Sequence, residues 1–465
     1  MERMFESKTR DCLCSLDKSG TFCITPVDKP VDMLSTTLKP GIEYRVFAPT
    51  SHPLPVITSK GSTRLQISEL STGVEQLGVP GFSAIWPRTS FEGVPGVALI
   101  SDESDSPVYP YIEPESWRDA LDTLNDTPVV MIRGPKRCGK STFARAALNK
   151  LLEDHERVVW LECDLGQSEF SCGGVVGLWT VTEPVLGPAF THPAIPTRAY
   201  HLGEYTPLSC PEAYISAIRQ LIDYYRYEME GPLVINTQGW IKGLGEDLLK
   251  AIESAAEPTH VFTFEAEGGS PPTYTVPLGG IHRILQPAPT SPLQARYTPS
   301  DFRILGMMSY LKAMLGEGRW GASQSWEVNI PGTIQNVYLV GQGSDGVINE
   351  DLELALNGAL VGLLQSEPEE TIYEPGRRPD GVFLGYGIIR WIQPSSLGFK
   401  VALSSPLPSS ALASVNAIVK NGAMELPLCA LLEAGEDVPF VDYSAIEGPG
   451  LERRRIRRNI MRKGM

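Results

Sequence analysis

The sequence predicts an α/β protein: a parallel sheet covered on both faces at the centre, flanked by smaller β-rich domains at either end. Three observations lead there. Continuous apolar runs alternate with helical patterns from about residue 115 onward, a glycine-rich loop joins one such run to the helix after it, and short strand-like segments separated by turn residues occupy both flanks.

Residues 1–110 are rich in Thr, Ser, Pro and Gly and carry alternating runs such as Thr21-Phe22-Cys23-Ile24 and Glu43-Tyr44-Arg45-Val46-Phe47, the pattern of an N-terminal β-rich domain. The acidic, proline-containing stretch 101–114 marks its boundary. Within 111–317, Pro128–Gly134 reads as a buried strand, Ser141–Glu156 as an amphipathic helix and Arg157–Asp164 as the next strand. Pro211–Met229 is a second helix and Gly231–Thr237 another buried strand. Beyond 318, segments such as Gln324–Ile330 and Gly381–Gly385 return to short strands, and Glu350–Gln365 reads as one helix, giving a C-terminal β-rich domain with a basic tail. No internal repeat is present.

Composition narrows the classes. At 42% hydrophobic and 20% charged residues, the chain has the makings of folded cores. No apolar run approaches the ~20 residues of a membrane helix, and the charged start at Met1–Lys8 lacks the apolar core of a secretory signal. The eight cysteines form no CxxC pair and the six histidines show no ligand spacing, which argues for free thiols, a reducing compartment and no structural metal. A net charge of −15 excludes a general nucleic-acid coat, so any RNA must meet a local basic cleft. The tail Arg453-Arg454-Arg455-Ile456-Arg457-Arg458 with Arg462-Lys463 breaks the acidic trend and reads as a solvated tail, a nuclear-localisation signal, or an RNA or partner contact.

Gly134-Pro135-Lys136-Arg137-Cys138-Gly139-Lys140-Ser141 satisfies GxxxxGK[ST] at every fixed position, between the predicted strand and helix as a P-loop NTPase requires. Its glycines let successive N–H groups converge on phosphate oxygens. Lys140 can reach the β- and γ-phosphates of ATP, and the Ser141 hydroxyl, with Thr142 beside it, can ligate Mg²⁺. A second acid is expected at the end of a buried strand. The strand ending at Thr237 has none, whereas Val158, Trp160, Glu162 and Asp164 fall on one face by period two, with Asp164 at the carboxyl end, where ligands bind in open α/β sheets. Asp164 there reads as a metal-shell ligand or base, with Gln167 as a substrate contact; the plain alternative for Asp164 is a turn or cap residue.

The loop 134–142 resembles that of the polynucleotide 5′-hydroxyl kinases. So do Asp164-Leu165-Gly166-Gln167-Ser168-Glu169-Phe170, Val181–Pro188, and Asn236-Thr237-Gln238-Gly239-Trp240-Ile241-Lys242-Gly243. The resemblance covers 115 to about 315 and is strongest to the nucleolar branch that acts in ribosomal-RNA processing. It implies that Asp164 and Gln167 act in catalysis and that Trp240 stacks on a terminal base of the RNA. It further implies that Thr206, in the clasp segment 203–207, grips substrate, and that Arg296 and Arg303 belong to a lid over the phosphates. Lys136, Arg137, Lys242, Arg296 and Arg303 then form the basic cleft. By the same resemblance the substrate is an RNA with a 5′-hydroxyl end, the partner is the pre-rRNA spacer endonuclease that creates that end, and the location is the nucleus and nucleolus. Two rivals remain at this stage. One is a catalytically silent ATP-binding adaptor of an RNA 3′-end or cleavage complex, against which Lys140, Ser141, Asp164 and Gln167 speak. The other is a regulatory GTPase, which lacks its Asn-Lys-x-Asp reader here.

Overall fold

The structure, a computed structural model, describes residues 20–61, 63–70, 109–265, 280–289, 297–312, 325–341, 351–367 and 377–426, with short pieces at 3–6, 14–16, 85, 90–91, 94–95, 99–100, 292 and 372–373. Arg296, the basic tail and residues 101–108 of the expected boundary lie outside the described residues.

The chain folds as an α/β protein around a seven-stranded sheet. Its order is Arg198–His201, Val175–Val181, Val158–Glu162, Leu233–Asn236, Val129–Arg133, His260–Phe264 and Ile281–Leu285. From Val158–Glu162 to Ile281–Leu285 neighbouring strands run parallel; the first two run antiparallel. The inner parallel strands Val158–Glu162, Leu233–Asn236 and Val129–Arg133 are buried and rich in Val, Ile and Leu because helices cover both faces, whereas the edge strand Ile281–Leu285 buries only Leu285. On one face Phe143 and Ala147 of helix Lys140–Leu151 pack with Trp117, Trp160, Phe262 and Phe264. On the other, Tyr214, Ile218 and Leu221 of helix Pro211–Glu228, and Leu248 and Ile252 of helix Leu244–Ala256, pack on Met131, Leu161 and Ile235.

Strand order corrects one expectation of the sequence. The strand that leads to Asp164, Val158–Glu162, follows the P-loop helix in the chain but is not the neighbour of the P-loop strand, because Leu233–Asn236 lies hydrogen-bonded between them. The P-loop helix also stops at Leu151, short of Glu156: residues 152–154 form a turn whose amides bond back to Leu148, Lys150 and Leu151.

At the amino-terminal flank, a four-stranded antiparallel sheet pairs Arg3–Glu6, Arg64–Glu69, Gly20–Pro26 and Tyr44–Ala48. Its core of Phe22, Ile24 and Val46 takes in Leu186 of the central unit. At the other flank stands a six-stranded sheet, in the order Trp326–Ile330, Gly398–Ser404, Gly381–Ser395, Leu360–Ser366, Ala417–Asn421 and Asn336–Val340. The single helix expected over 350–365 is instead a short helix, Leu352–Leu356, and the buried strand Leu360–Ser366. The helix ends at Leu356 because Asn357 turns extended, Gly358 follows at φ 68°, a conformation that L side chains rarely adopt, and the apolar run after it is swallowed by the sheet.

Candidate active site

The phosphate loop leaves strand Val129–Arg133 and enters helix Lys140–Leu151 through a left-handed residue, Gly139, at φ 102°. No side chain fits there: a Cβ on Gly139 would lie 2.9 Å from Ala288 Cβ and 3.0 Å from Trp117. Lys140 is buried, and its Nζ donates to the Pro135 carbonyl at 3.0 Å, so the ammonium lies folded across the loop's own concavity. The Cys138 thiol donates to the same carbonyl, and burial pushes its pKa up. Lys136 and Arg137 are exposed, and Arg137 is left-handed at φ 65°.

The intervening strand connects the loop to the acids. Ser141 Oγ donates to Asn236 Oδ1 at 3.5 Å, and Asn236 Nδ2 donates to Glu162 Oε1 at 2.9 Å. Glu162, fully buried, also accepts the amides of Asp164 at 2.8 Å and Glu169 at 2.9 Å and the indole N–H of Trp160 at 3.2 Å. Burial and the neighbouring Asp164 push its carboxyl pKa up to about 8, against the pull of those N–H groups. Glu162 therefore ties the end of its strand to the turn that follows. It and Asn236 join the candidate site as a bridge; the sequence names both without giving either a role, and a polar pair ending two otherwise apolar strands was the available signal.

Asp164 lies past the strand end rather than on it. Its Oδ1 accepts the amides of Gly166 at 2.8 Å and Gln167 at 3.3 Å, so it is a turn-former as well as a candidate for chemistry. Partial burial raises its pKa, while Lys140, those two amides and Lys136 act in the opposite sense. The same lysines that edge the phosphate loop are thus the cations felt at this carboxylate. Ser141 and Asp164 offer hard oxygen donors of the kind Mg²⁺ prefers, and among the described residues no cluster of three or more His, Cys, Asp or Glu makes a protein-only cage. That donor set suits an ion held jointly with phosphate oxygens and water. Gln167 is exposed at the rim.

Trp240 is partly buried beside the loop. Its backbone and indole abut Gly245 at the start of helix Leu244–Ala256, and Gly239 lies directly against Lys136. Thr206 is exposed and caps nothing with its side chain. Its neighbour Tyr205 carries the contacts: the Tyr205 carbonyl would lie 3.2 Å from a Cβ on Gly166, and the Arg303 guanidinium sits over the Tyr205 ring at 4.5 Å. Arg303 belongs to helix Pro299–Lys312. That helix starts at Pro299, with Thr298 and Asp301 exchanging hydrogen bonds in a capping box. The helix is packed in place: Phe302 meets His52 of the amino-terminal unit edge-on, and Tyr310 Oη accepts the amide of Tyr386 at 2.8 Å in the carboxyl-terminal sheet. Lys242 is exposed after Trp240.

Two of the remaining quoted motifs are architectural. Glu169 holds Arg145 at 2.9 Å and His192 at 3.0 Å. Burial works against its ionisation, but Arg145 and His192 prevail and lower its pKa. Arg145 also donates to the Gly187 carbonyl, and Asn149 bonds Val185 and the Leu34 carbonyl. The segment 181–188 is therefore the dock between the P-loop helix and the amino-terminal unit.

A mostly parallel sheet with a GxxxxGKS loop at the carboxyl end of a central strand, a buried lysine folded into that loop and a carboxylate within its field define a P-loop nucleotide-binding fold of the phosphotransferase kind. The family model described as "mRNA cleavage and polyadenylation factor CLP1 P-loop" matches residues 134–312. The chain is 40% identical to Polynucleotide 5′-hydroxyl-kinase GRC3 of Cryptococcus neoformans var. neoformans serotype D, over 97% of this chain and 74% of that protein. It is 27% identical to the Schizosaccharomyces pombe protein of the same name, over 78% of this chain and 59% of that one. The solved wild-type Clp1p–Pcf11p complex contains a chain of like fold, with TM-score 0.56 and 13% identity, covering 91% of this chain and 97% of that one. The protein belongs to the polynucleotide 5′-hydroxyl-kinase GRC3 family and is an enzyme of that family.

Proposed function

We propose that this enzyme transfers the γ-phosphoryl group of ATP to the 5′-hydroxyl end of an RNA. The observation that carries the reading is the buried Lys140 of the phosphate loop with the raised-pKa Asp164 in its field. Backbone N–H groups of 134–142 and the Lys140 ammonium bind the donor phosphates. Asp164, just past the end of its strand and within the field of Lys140, accepts the proton of the attacking 5′-hydroxyl. Gln167 orients the acceptor from the rim, and Trp240 stacks on the terminal base, a sequence-tolerant contact. Arg303, and Arg296 before it, neutralise charge on the group in flight. Mg²⁺, when bound, supplies charge neutralisation between donor oxygens; Ser141 and Asp164 are the residues that would hold it. The loop glycines and the Glu162–Asn236 bridge keep these groups in register.

The finer reading is that the RNA is pre-rRNA with a freshly cut internal transcribed spacer, that an endonuclease leaving 5′-hydroxyl ends is a stable partner, and that the enzyme works in the nucleus and nucleolus. The motif resemblance to the nucleolar branch supports it; the name of the curated relatives supports the 5′-hydroxyl kinase reaction itself. Radiolabelled ATP with a 5′-hydroxyl oligoribonucleotide tests the reaction. Wild-type protein that binds ATP without labelling the oligonucleotide would identify a silent adaptor instead. In cells, Lys140→Ala should accumulate spacer fragments with 5′-hydroxyl ends; normal spacer turnover would overturn the pre-rRNA role, and purification of fully active enzyme as a lone monomer would overturn the stable partner.

A further inference from the structure

We infer that Tyr205 is a positioning residue that aims the lid arginine Arg303 at the reaction centre. The inference rests on the kinase reading above and adds a residue to it.

The segment Gly203-Glu204-Tyr205 is fixed from below. The amides of Leu202 and Gly203 both donate to the Gly174 carbonyl, at 2.9 and 2.8 Å, and the Gly174 amide donates to Leu165 O at 2.8 Å. The loop 202–205 is thereby zipped to the loop 165–174, whose first residues are those that Asp164 organises. The carboxyl-terminal sheet closes the zip: Tyr386 Oη donates to Gly173 O at 2.9 Å, and Asn421 Nδ2 donates to Leu202 O at 3.3 Å. No side chain is tolerated in this seam. A Cβ on Gly203 would lie 2.4 Å from Asn421 Nδ2, and one on Gly173 would lie 2.8 Å from the Leu165 carbonyl and 3.2 Å from the Tyr205 ring.

The Tyr205 ring therefore has its place set by Gly173 and its backbone by Gly166, two residues beyond Asp164. Against this ring sits the guanidinium of Arg303, 4.5 Å from the centroid. A guanidinium over an aromatic face keeps all its N–H donors at the rim of the plane, free to point at an anion, whereas a carboxylate partner would consume them. The contact with the Tyr205 ring thus orders Arg303 without neutralising it. The helix beneath Arg303 is bolted at Phe302 and Tyr310, so the side chain, and not the helix, is what needs guidance. The continuous chain Asp164–Gly166–Tyr205–Arg303 registers the candidate base against the candidate phosphoryl clamp.

The ring face, not the hydroxyl, is what the geometry employs. Steady-state kinetics with ATP and a 5′-hydroxyl oligoribonucleotide should show kcat falling about tenfold or more for Tyr205→Leu with little change in the KM for ATP, as expected when an oriented group is misplaced by about 1 Å. Tyr205→Phe should restore most of that loss. Tyr205→Leu made in an Arg303→Ala background should cost nothing further, because the residue acts through the arginine. The inference is overturned if Tyr205→Phe is as impaired as Tyr205→Leu, if the two losses multiply in the double variant, or if Tyr205→Leu raises only the KM for RNA. Full activity of Arg303→Ala also overturns it while leaving the kinase reading intact; a wild-type enzyme that labels no RNA overturns both.

Discussion

Gly239→Ala is the sharpest test of how the Gly-Trp element is seated. Gly239 has no unusual backbone angle, so the added methyl acts through space alone. A Cβ there would lie 2.5 Å from Lys136 Cγ and 3.0 Å from both the Cα and the amide nitrogen of Lys136. Ordinary carbon contacts lie at about 3.5–4.0 Å, so something must retreat by roughly 0.5 Å or more. The Lys136 side chain is exposed and can swing away, but the backbone of the phosphate loop cannot yield without turning its N–H groups off the phosphates. Overpacking of this kind costs about 1–3 kcal/mol, which at about 1.4 kcal/mol per decade becomes roughly a five- to 140-fold loss in kcat/KM for ATP if it falls on the loop. The assay is phosphoryl transfer at varied ATP with a parallel thermal melt, and the melt should move by only a few degrees. Gly306→Ala serves as the control, because Gly306 lies inside helix Pro299–Lys312 and a Cβ there would meet nothing within 4 Å. There alanine should stabilise by about 0.5–1 kcal/mol and leave kcat/KM alone. An unchanged KM and kcat in Gly239→Ala would refute the apposition of residue 239 and the phosphate loop.

Four further outcomes are expected. Lys140→Ala and Asp164→Asn should each abolish label transfer from ATP while melting within a few degrees of wild type; normal turnover in either ends its assignment. Trp240→Ala should raise the KM for RNA by the equivalent of ~1–3 kcal/mol with the KM for ATP unchanged, and a selective ATP defect would make it a nucleotide contact instead. For Glu162, the folded pKa of about 8 stands above the unfolded value, so the folded state holds the extra proton in between. Its contribution to stability is then greatest below about 4.5 and declines as pH rises through about 8. A Glu162→Gln variant should lose that part of the pH dependence of its melting temperature, and identical profiles would show that Glu162 does not titrate there. Activity should fall steeply with added salt, as for an acidic protein of net charge −15 holding RNA in one basic cleft, and a flat salt response would exclude that mode of binding.

What the sequence determined by itself was local. The phosphate loop was legible because its chemistry needs fixed residue types at fixed spacing: glycines where φ is positive, a lysine and a hydroxyl at a helix start. The flanking strand and helix were legible because burial on two faces writes continuous apolar runs. Asp164 was legible as the acid ending one of those runs. What only the tertiary structure decided was adjacency. Chain order put the Asp164 strand next, yet the sheet interposes Leu233–Asn236, which brings in Asn236 to bridge Ser141 and Glu162. Likewise Tyr205 and Arg303 are about a hundred residues apart and meet only because helix Pro299–Lys312 is wedged between the two flanking units. Spacing along a chain encodes contacts within a turn or a strand. Contacts across a sheet or between units depend on which surfaces bury each other, and that is settled by the packing of the whole chain.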